Sequence, residues 1–395
     1  MLNPKTKQRE LAYVVNIDRI EPIVGSDNCE AAVVGGWRVM TRKGTFQAGD
    51  KAVYFEIDSK VPETETFAFL APKHYKVKTQ KYTFGGKGLM ISQGLLMSFE
   101  DFGWELDKYN VGDFLTEILG VKYSVIEDNK RKASIDKYKR MAQRHYKLFK
   151  TNKIVQWLYT KTWGKKLLFL FLGNKRDKKA AFWPSWVVKT DEERVQNLPQ
   201  LFPPDDTEWF VTEKVDGTST TFTMKRGHGF KKNEFYVCSR NVVFENPDKK
   251  CFYDTNVYFE MAERYDIEEV LKNLLEKYPN TEWVTIQGET YGPGIQKRDY
   301  STSHHHFAAF NLIMSNTGRW NTLDMINELT KYDVPCVPVV HPFYTLPDTV
   351  EELLEYATGE SKIDGGIREG IVFRSVDGTK SFKAVSNEYL LKYHS

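Results

Sequence analysis

The chain has 395 residues, 41% of them apolar and 28% charged, with a formal net charge of +3, which excludes an intrinsically disordered chain and predicts two or three globular domains. Its four cysteines (Cys29, Cys238, Cys251, Cys336) show no Cys-x-x-Cys spacing, which argues against a zinc site or disulfide framework and for a reducing, cytoplasmic compartment. No apolar run follows Met1-Leu2-Asn3-Pro4-Lys5 as in a signal peptide, and the longest one, Leu167–Leu172, is too short to span a bilayer, so no membrane association is expected.

From 9 to 118 the pattern is all-β. Short strand-like stretches (Leu11–Val15, Ala31–Val34, Arg38–Met40, Lys51–Phe55) alternate with turn chemistry at Gly25-Ser26-Asp27-Asn28, Gly35-Gly36 and Ala48-Gly49-Asp50. Closely spaced short strands predict a small barrel. The phrase Ala48-Gly49-Asp50-Lys51-Ala52-Val53-Tyr54, followed by Ile57-Asp58-Ser59-Lys60-Val61-Pro62, resembles OB-fold domains that bind nucleic acid. Residues 1–119 are therefore expected to form an OB-type barrel.

Residues 120–185 read as a basic, helical insertion. Between Lys122 and Lys179 there are 18 Lys or Arg against 4 Asp or Glu, with Tyr138, Tyr146, Trp157, Tyr159 and Trp163 interleaved. Such a segment suits a polyanion, because lysines and arginines displace counterions from phosphates and aromatic faces stack on bases. A solvated helical arm has the same composition.

Residues 186–395 mix helices and strands in an α+β pattern. Helices are predicted at Val257–Tyr278, Thr322–Lys331 and Thr349–Ala357, the last opened by the capping box Thr349-Val350-Glu351-Glu352. Strands are predicted at Phe235–Val237, Glu282–Ile286, Phe307–Phe310, Cys336–Val340 and Gly370–Phe373.

The chemistry concentrates in this last region. Glu213-Lys214-Val215-Asp216-Gly217 lies between two strand-like runs, Trp209–Thr212 and Ser219–Thr223, and Lys214 is placed like a covalent nucleophile with a carboxylate beside it. A hairpin tip with a solvated Lys/Asp pair is the alternative for this motif alone. Four further signals follow in order: Ser239-Arg240-Asn241, Gln287-Gly288-Glu289-Thr290-Tyr291-Gly292, Arg368-Glu369-Gly370-Ile371-Val372-Phe373, and Lys380-Ser381-Phe382-Lys383.

This ordered set, over about 190–395, resembles the ATP-dependent covalent nucleotidyltransferases, the polynucleotide ligases and mRNA capping enzymes. Lys214-Val215-Asp216-Gly217 is similar to their nucleophile motif, Gly288-Glu289 with Tyr291-Gly292 to the form common in RNA ligases, and Glu369–Val372 to the fourth motif. An OB-like segment ahead of the nucleophile, with only 12 residues after Lys383, resembles the RNA ligase family that has an N-terminal OB module. Lys189–Leu198 and Ser386–Lys392 also look like that group.

The resemblance implies an enzyme that seals 3′-OH/5′-phosphate breaks, with RNA on the 3′-OH side, through a lysyl-adenylate. It implies ATP as substrate and Mg²⁺, or Mn²⁺, as metal. By the same likeness Lys214 is the nucleophile, and Asp216, Glu289 and Glu369 hold the metal. Lys383 contacts the α-phosphate, Arg240 phosphate or ribose, and Arg194 the outer phosphates. Phe310 stacks on adenine, with Glu213 near the base edge. The last motif departs from its usual K-x-K spacing, since Val385 stands where a second lysine is expected, and Lys380 is the candidate replacement. The expected partner is RNA or an RNA/DNA nicked duplex, gripped by the OB domain and the basic insertion of a monomer. Two rival readings are a capping-type guanylyltransferase and a non-catalytic RNA-binding protein with a decayed transferase domain. His304-His305-His306 is expected to be a polar strand entry, because consecutive strand residues face alternate sides.

Overall fold

Among the described residues the N-terminal region holds ten short strands: β1 (Ala12–Asn16), β2 (Arg19–Pro22), β3 (Cys29–Val34), β4 (Trp37–Arg42), β5 (Lys51–Phe55), β6 (Ser59–Lys60), β7 (Gln80–Phe84), β8 (Gly88–Ser92), β9 (Leu95–Met97) and β10 (Lys122–Tyr123). The structure is a computed structural model that describes residues 3, 9–84, 88–105, 108–124, 148, 151–172, 183–189, 191–244, 246–248 and 251–393. All pairings here are antiparallel, in the orders β1-β5-β9, β2-β3-β4, β7-β8 and β10-β6. Strand β5 is buried on both faces: Val53 and Phe55 join one apolar cluster, Ala52 and Tyr54 another. Strands of this region thus continue to Tyr123, whose stretch Lys122–Tyr123 pairs with Ser59–Lys60.

Two helices, Lys153–Thr160 and Thr162–Leu172, form a hairpin in the basic segment. Asn152 starts the first by accepting from the amides of Ile154 (3.0 Å) and Val155 (3.2 Å). Ile154, Trp157, Trp163, Leu170 and Phe171 stay exposed. The basic helix expected around Lys130–Lys150 lies outside the described residues, Leu148 excepted. Among the described residues no helix is long and apolar enough to cross a membrane.

The C-terminal region holds two antiparallel sheets built from β11 (Trp209–Lys214), β12 (Thr218–Lys225), β13 (Glu234–Ser239), β14 (Val243–Phe244), β15 (Trp283–Tyr291), β16 (His306–Met314), β17 (Gly318–Arg319), β18 (Val339–Tyr344), β19 (Gly370–Ser375) and β20 (Ser381–Val385). Their orders are β18-β11-β19-β20 and β14-β13-β12-β15-β16-β17. In the six-stranded sheet, cross-strand hydroxyl pairs at 2.7 Å (Thr220–Thr290, Thr223–Thr285) fix the register of β12 on β15. Helices pack one face of this sheet through Met261, Leu271, Leu274, Phe222, Ile286 and Leu312. The smaller sheet closes on Trp209, Phe373 and Phe382, whose rings stack or meet edge-on at 4.6–6.4 Å.

Three elements differ from their sequence patterns. The helical stretch Val257–Tyr278 is broken into Val257–Arg264 and Ile267–Lys277, because Asp266 takes a left-handed conformation (φ 47°). The Cys336–Val340 run enters a strand only at Val339, since Pro338 has no amide to donate. The helix at Thr322 ends at Leu329 and tightens into a 3₁₀ turn, Thr330–Tyr332. The helix Val350–Ala357 begins with the Thr349/Glu352 capping box, both hydrogen bonds formed.

The N-terminal region docks on the C-terminal one. The two-residue turn Gly35-Gly36 has both φ values positive (51° and 79°), and a Cβ on Gly36 would lie 2.7 Å from a Val350 methyl. Arg194 lies over the Trp37 ring at 5.6 Å, and Ile91 of β8 packs with Val385 and Leu390. A cleft of about 1110 Å³ lies between the two regions, with Asp58 and Tyr123 on one wall and Lys214 on the other.

Candidate active site

Lys214 ends β11, and the chain then crosses from the four-stranded to the six-stranded sheet to begin β12. The motif is therefore a sheet-crossing turn, not the tip of a hairpin. Gly217 sits where a Cβ would lie 2.3 Å from the Thr290 carbonyl oxygen and 2.9 Å from Glu289 Cγ, so only glycine lets the turn approach β15 this closely.

Register then assembles the side chains. Lys214 is opposite Gly370, which brings Glu369 to it: Lys214 Nζ donates to Glu369 Oε2 at 2.6 Å. Ser219, Glu289 and Ala308 are cross-strand partners on one face, and Phe310, two residues past Ala308, shares that face. Val372 is opposite Lys383, so both face the cleft from the other sheet.

The cleft wall carries Glu213, Lys214, Arg194, Arg240, Glu289, Phe310 and Lys383. Asp216 and Glu369 are not on that wall. Glu369 is ion-paired with Lys214, and Asp216 Oδ2 accepts from Tyr389 Oη at 2.6 Å. Lys380, the candidate second lysine, points away and donates to Asp205 (3.0 Å) and Thr207 (3.2 Å). Its exposed ammonium already has local acceptors, so the structure does not place it at the cleft. His305 is bound to Glu260 (2.7 Å) and the Pro293 carbonyl (3.0 Å), away from this chemistry.

The electrostatics are those of a negative pocket around a cation. Burial disfavours a charged Lys214, but Glu369 foremost, then Glu289 and Asp216, outweigh it and hold the ammonium above its ordinary pKa. Burial pushes Glu289 up to about 8, opposed by Lys214 and reinforced by Glu369 and Asp216. Asp216 is raised by burial and by Glu369, against the Tyr389 hydrogen bond and Lys214. Three carboxylates against one lysine leave a formal charge of about −2 when all are ionised, a deficit that suits a divalent cation. Among the described residues no three such side chains converge closely enough to hold an ion directly. The donor set fits an ion that keeps its water shell.

Sequence reasoning missed Asp191. It bridges the two cations expected to meet phosphate, with Oδ1 2.7 Å from Lys383 Nζ and Oδ2 2.7 Å from an Arg240 nitrogen. Burial works against its charge, but Lys383 and Arg240 hold its carboxyl below the usual range. Lys383 itself is lowered, by burial first. The strand bridge between Arg194 and Lys383, with Lys383 N donating to Glu193 O at 2.8 Å, ties this segment to β20. Also missed were Val215 and Val337, which pack with Phe310, and Val372, all three lining the cleft. Strand alternation after buried Ile371 could have indicated Val372. Glu213 already accepts at both oxygens, from Ser361 Oγ (2.5 Å) and the Lys362 amide (2.8 Å).

A family model described as RNA ligase matches residues 207–394, and one described as an OB-fold domain matches 11–98. No curated protein sequence matches the chain. Solved structures do match it along its length. An apo lysine-to-alanine mutant of Naegleria gruberi RNA ligase is 27% identical over 98% of this chain and 99% of that one, at a TM-score of 0.66. The same ligase with PPi is 26% identical over 98% and 99%, at 0.62. A glutamate-to-alanine mutant of it with AMP and Mn is 26% identical over 98% and 99%, at 0.64. With its nucleophile motif at the crossing of two sheets, the chain carries an RNA ligase domain behind an OB-fold domain, and along its whole length it is similar to Naegleria gruberi RNA ligase.

Proposed function

We propose that the chain is an ATP-dependent RNA ligase that joins 3′-OH and 5′-phosphate ends, RNA on the 3′-OH side, in three phosphoryl transfers. The observation that carries this reading is Lys214, set among three carboxylates on a cleft that also holds an aromatic slot and two phosphate-directed cations.

In the first transfer Lys214 Nζ, as free amine, attacks the α-phosphorus of ATP. The bond to the β-phosphate oxygen breaks and pyrophosphate leaves. In the second, a 5′-phosphate oxygen of the RNA attacks the same phosphorus and the P–N bond breaks, returning the amine. In the third, the 3′-OH attacks the activated 5′-phosphate, its proton is lost, and AMP leaves. Lys383 and Arg240 meet the negative charge on the phosphates once Asp191 releases them, and Arg194 meets the outer phosphates. Phe310 stacks on adenine with Val372 lining the slot, while Glu213, braced by Ser361 and Lys362, lies toward the base edge.

The obstacle is the proton on Lys214. Its neighbouring carboxylates, Glu369 foremost, hold the ammonium above the ordinary lysine range, so near neutral pH almost none of it is free amine. Mg²⁺ or Mn²⁺, held through water by Asp216, Glu289 and Glu369, would supply positive charge that disfavours the ammonium and neutralises phosphate.

Incubation with α-labelled ATP and Mg²⁺ is expected to label the protein, GTP is not, and a nick-sealing panel is expected to require RNA on the 3′-OH side. Labelling by GTP in preference to ATP, or sealing indifferent to a DNA 3′-OH strand, contradicts the reading.

The helical hairpin adds a grip on the RNA. Lys153, Lys161 and Lys166 are exposed, and Lys165 lies over the Tyr159 ring at 5.1 Å. Replacing these four lysines with glutamine is expected to weaken nicked-duplex binding and flatten its salt dependence, by up to about 0.9 in log–log slope for each phosphate no longer neutralised, with self-adenylation unchanged. An unchanged slope in a fluorescence-anisotropy titration rules the hairpin out as the RNA grip.

A further inference from the structure

The C-terminal helix Asn387–Tyr393 has no part in the transfers above, yet it reaches the nucleophile motif. Tyr389, 4% exposed, donates its hydroxyl to Asp216 Oδ2 at 2.6 Å. The helix is anchored beside a second carboxylate: the Ser386 amide donates to the Glu369 carbonyl at 2.9 Å, and the Tyr389 amide to Ser386 Oγ at 3.2 Å. Asp216 is also held at its backbone, where its amide donates to Tyr300 Oη at 2.6 Å. Tyr300 adopts a left-handed φ of 55°, with the Arg298 guanidinium 4.1 Å from its ring centre. On its other side the helix meets the OB region, through Leu390 against Ile91 and through Lys81 Nζ, which donates to the Leu391 carbonyl at 2.5 Å.

A carboxylate turns freely about its last bond unless something holds it. Here one oxygen accepts from a phenol whose helix is tied down at its start, through Ser386, beside Glu369. Among the described residues no hydrogen bond is made to the carboxylate's other oxygen. We propose that Tyr389 is a positioning residue: its hydroxyl sets the plane of the Asp216 carboxylate so that the carboxylate meets the hydrated ion of the nucleotide-loaded site. This rests on the ligase reading for the role of Asp216.

The test is Tyr389→Phe, which keeps the ring and its packing and removes the donor. Mn²⁺ binding, followed by electron paramagnetic resonance in the presence of α,β-methylene-ATP, is expected to weaken about tenfold or more, the usual cost of losing the group that orients a metal-holding side chain. The metal concentration for half-maximal self-adenylation is expected to rise by the same factor, and saturating metal to recover most of the rate. Leu390→Ala, on the same helix but facing the OB region, serves as the packing control, expected to lower the melting temperature and leave Mn²⁺ affinity unchanged. If Tyr389→Phe binds Mn²⁺ as the wild type does, or if both variants weaken it equally, the positioning role is overturned. A wild-type chain that takes no label from ATP refutes instead the ligase reading on which it rests.

Discussion

Lys214→Ala is expected to abolish transfer of label from α-labelled ATP to the protein, with a fall in the first step on the order of 10⁴-fold or more, the scale on which removal of a covalent nucleophile acts. No other amine can substitute. Lys383, the other lysine of the cleft among the described residues, stands on a different strand and donates to Asp191 at 2.7 Å, and it is expected to meet phosphate rather than to attack it. The same variant is expected to retain the third transfer. Given RNA that already carries a 5′-adenylate, Lys214→Ala still has Phe310, Lys383 and the carboxylates, so it should seal the pre-activated nick at a rate reduced by far less. That pair of results separates loss of the nucleophile from collapse of the site. If Lys214→Ala still takes up acid-stable, amine-linked label from ATP, the nucleophile lies elsewhere.

Much of the site was legible because its residues sit at strand ends in short motifs. Lys214, Glu289 and Phe310 each lie at a position that strand alternation and pairing register bring to one cleft, and register brings Glu369 against Lys214. Less visible were groups whose role depends on contact across the fold. Asp191 is one acidic residue among three, and only the approach of β20 to its segment shows it between Arg240 and Lys383. Tyr389 lies 173 residues from Asp216, in a segment whose likeness to the RNA ligases says nothing of which side chain its tyrosine meets. Lys380 failed for a related reason: spacing in sequence cannot tell which way a turn residue points, and Asp205 and Thr207 decide it. The fold pattern was clear wherever a strand or cap had a strong local signal, as at Lys51–Phe55 and Thr349. It failed at Asp266, where a single left-handed residue splits a continuous helical periodicity.

Glu289→Gln is expected to slow self-adenylation by roughly 10²–10³-fold, the range for removing one preorganised electrostatic partner, although glutamine has nearly the same shape. The argument turns on charge. In the metal-free protein burial and the neighbouring carboxylates raise Glu289 from 4.5 to about 8, so near neutral pH it mostly holds a proton. A divalent ion needs the carboxylate, so its binding expels that proton, and its affinity should climb with pH until about 8 and then level off. Stability of the metal-free chain follows the opposite course. Between about pH 4.5 and 8 the folded state keeps a proton that the unfolded chain has lost, so the contribution is whole below about 4.5 and disappears as pH rises through about 8. Because Glu289 is only half-buried, water screening reduces the effect to on the order of 1–2 kcal/mol, or roughly 1–2.5 °C in melting temperature for a chain of this length. Glutamine cannot titrate. Calorimetry of the metal-free proteins from pH 5 to 9 should therefore show the wild type losing stability faster than Glu289→Gln, with Mg²⁺ restoring the wild type most at the alkaline end and the variant little at any pH. Parallel melting curves for the two proteins across that range, with and without the ion, mean that Glu289 is neither the titrating group nor a holder of the metal, and the negative pocket around Lys214 must then be balanced by something other than a divalent cation.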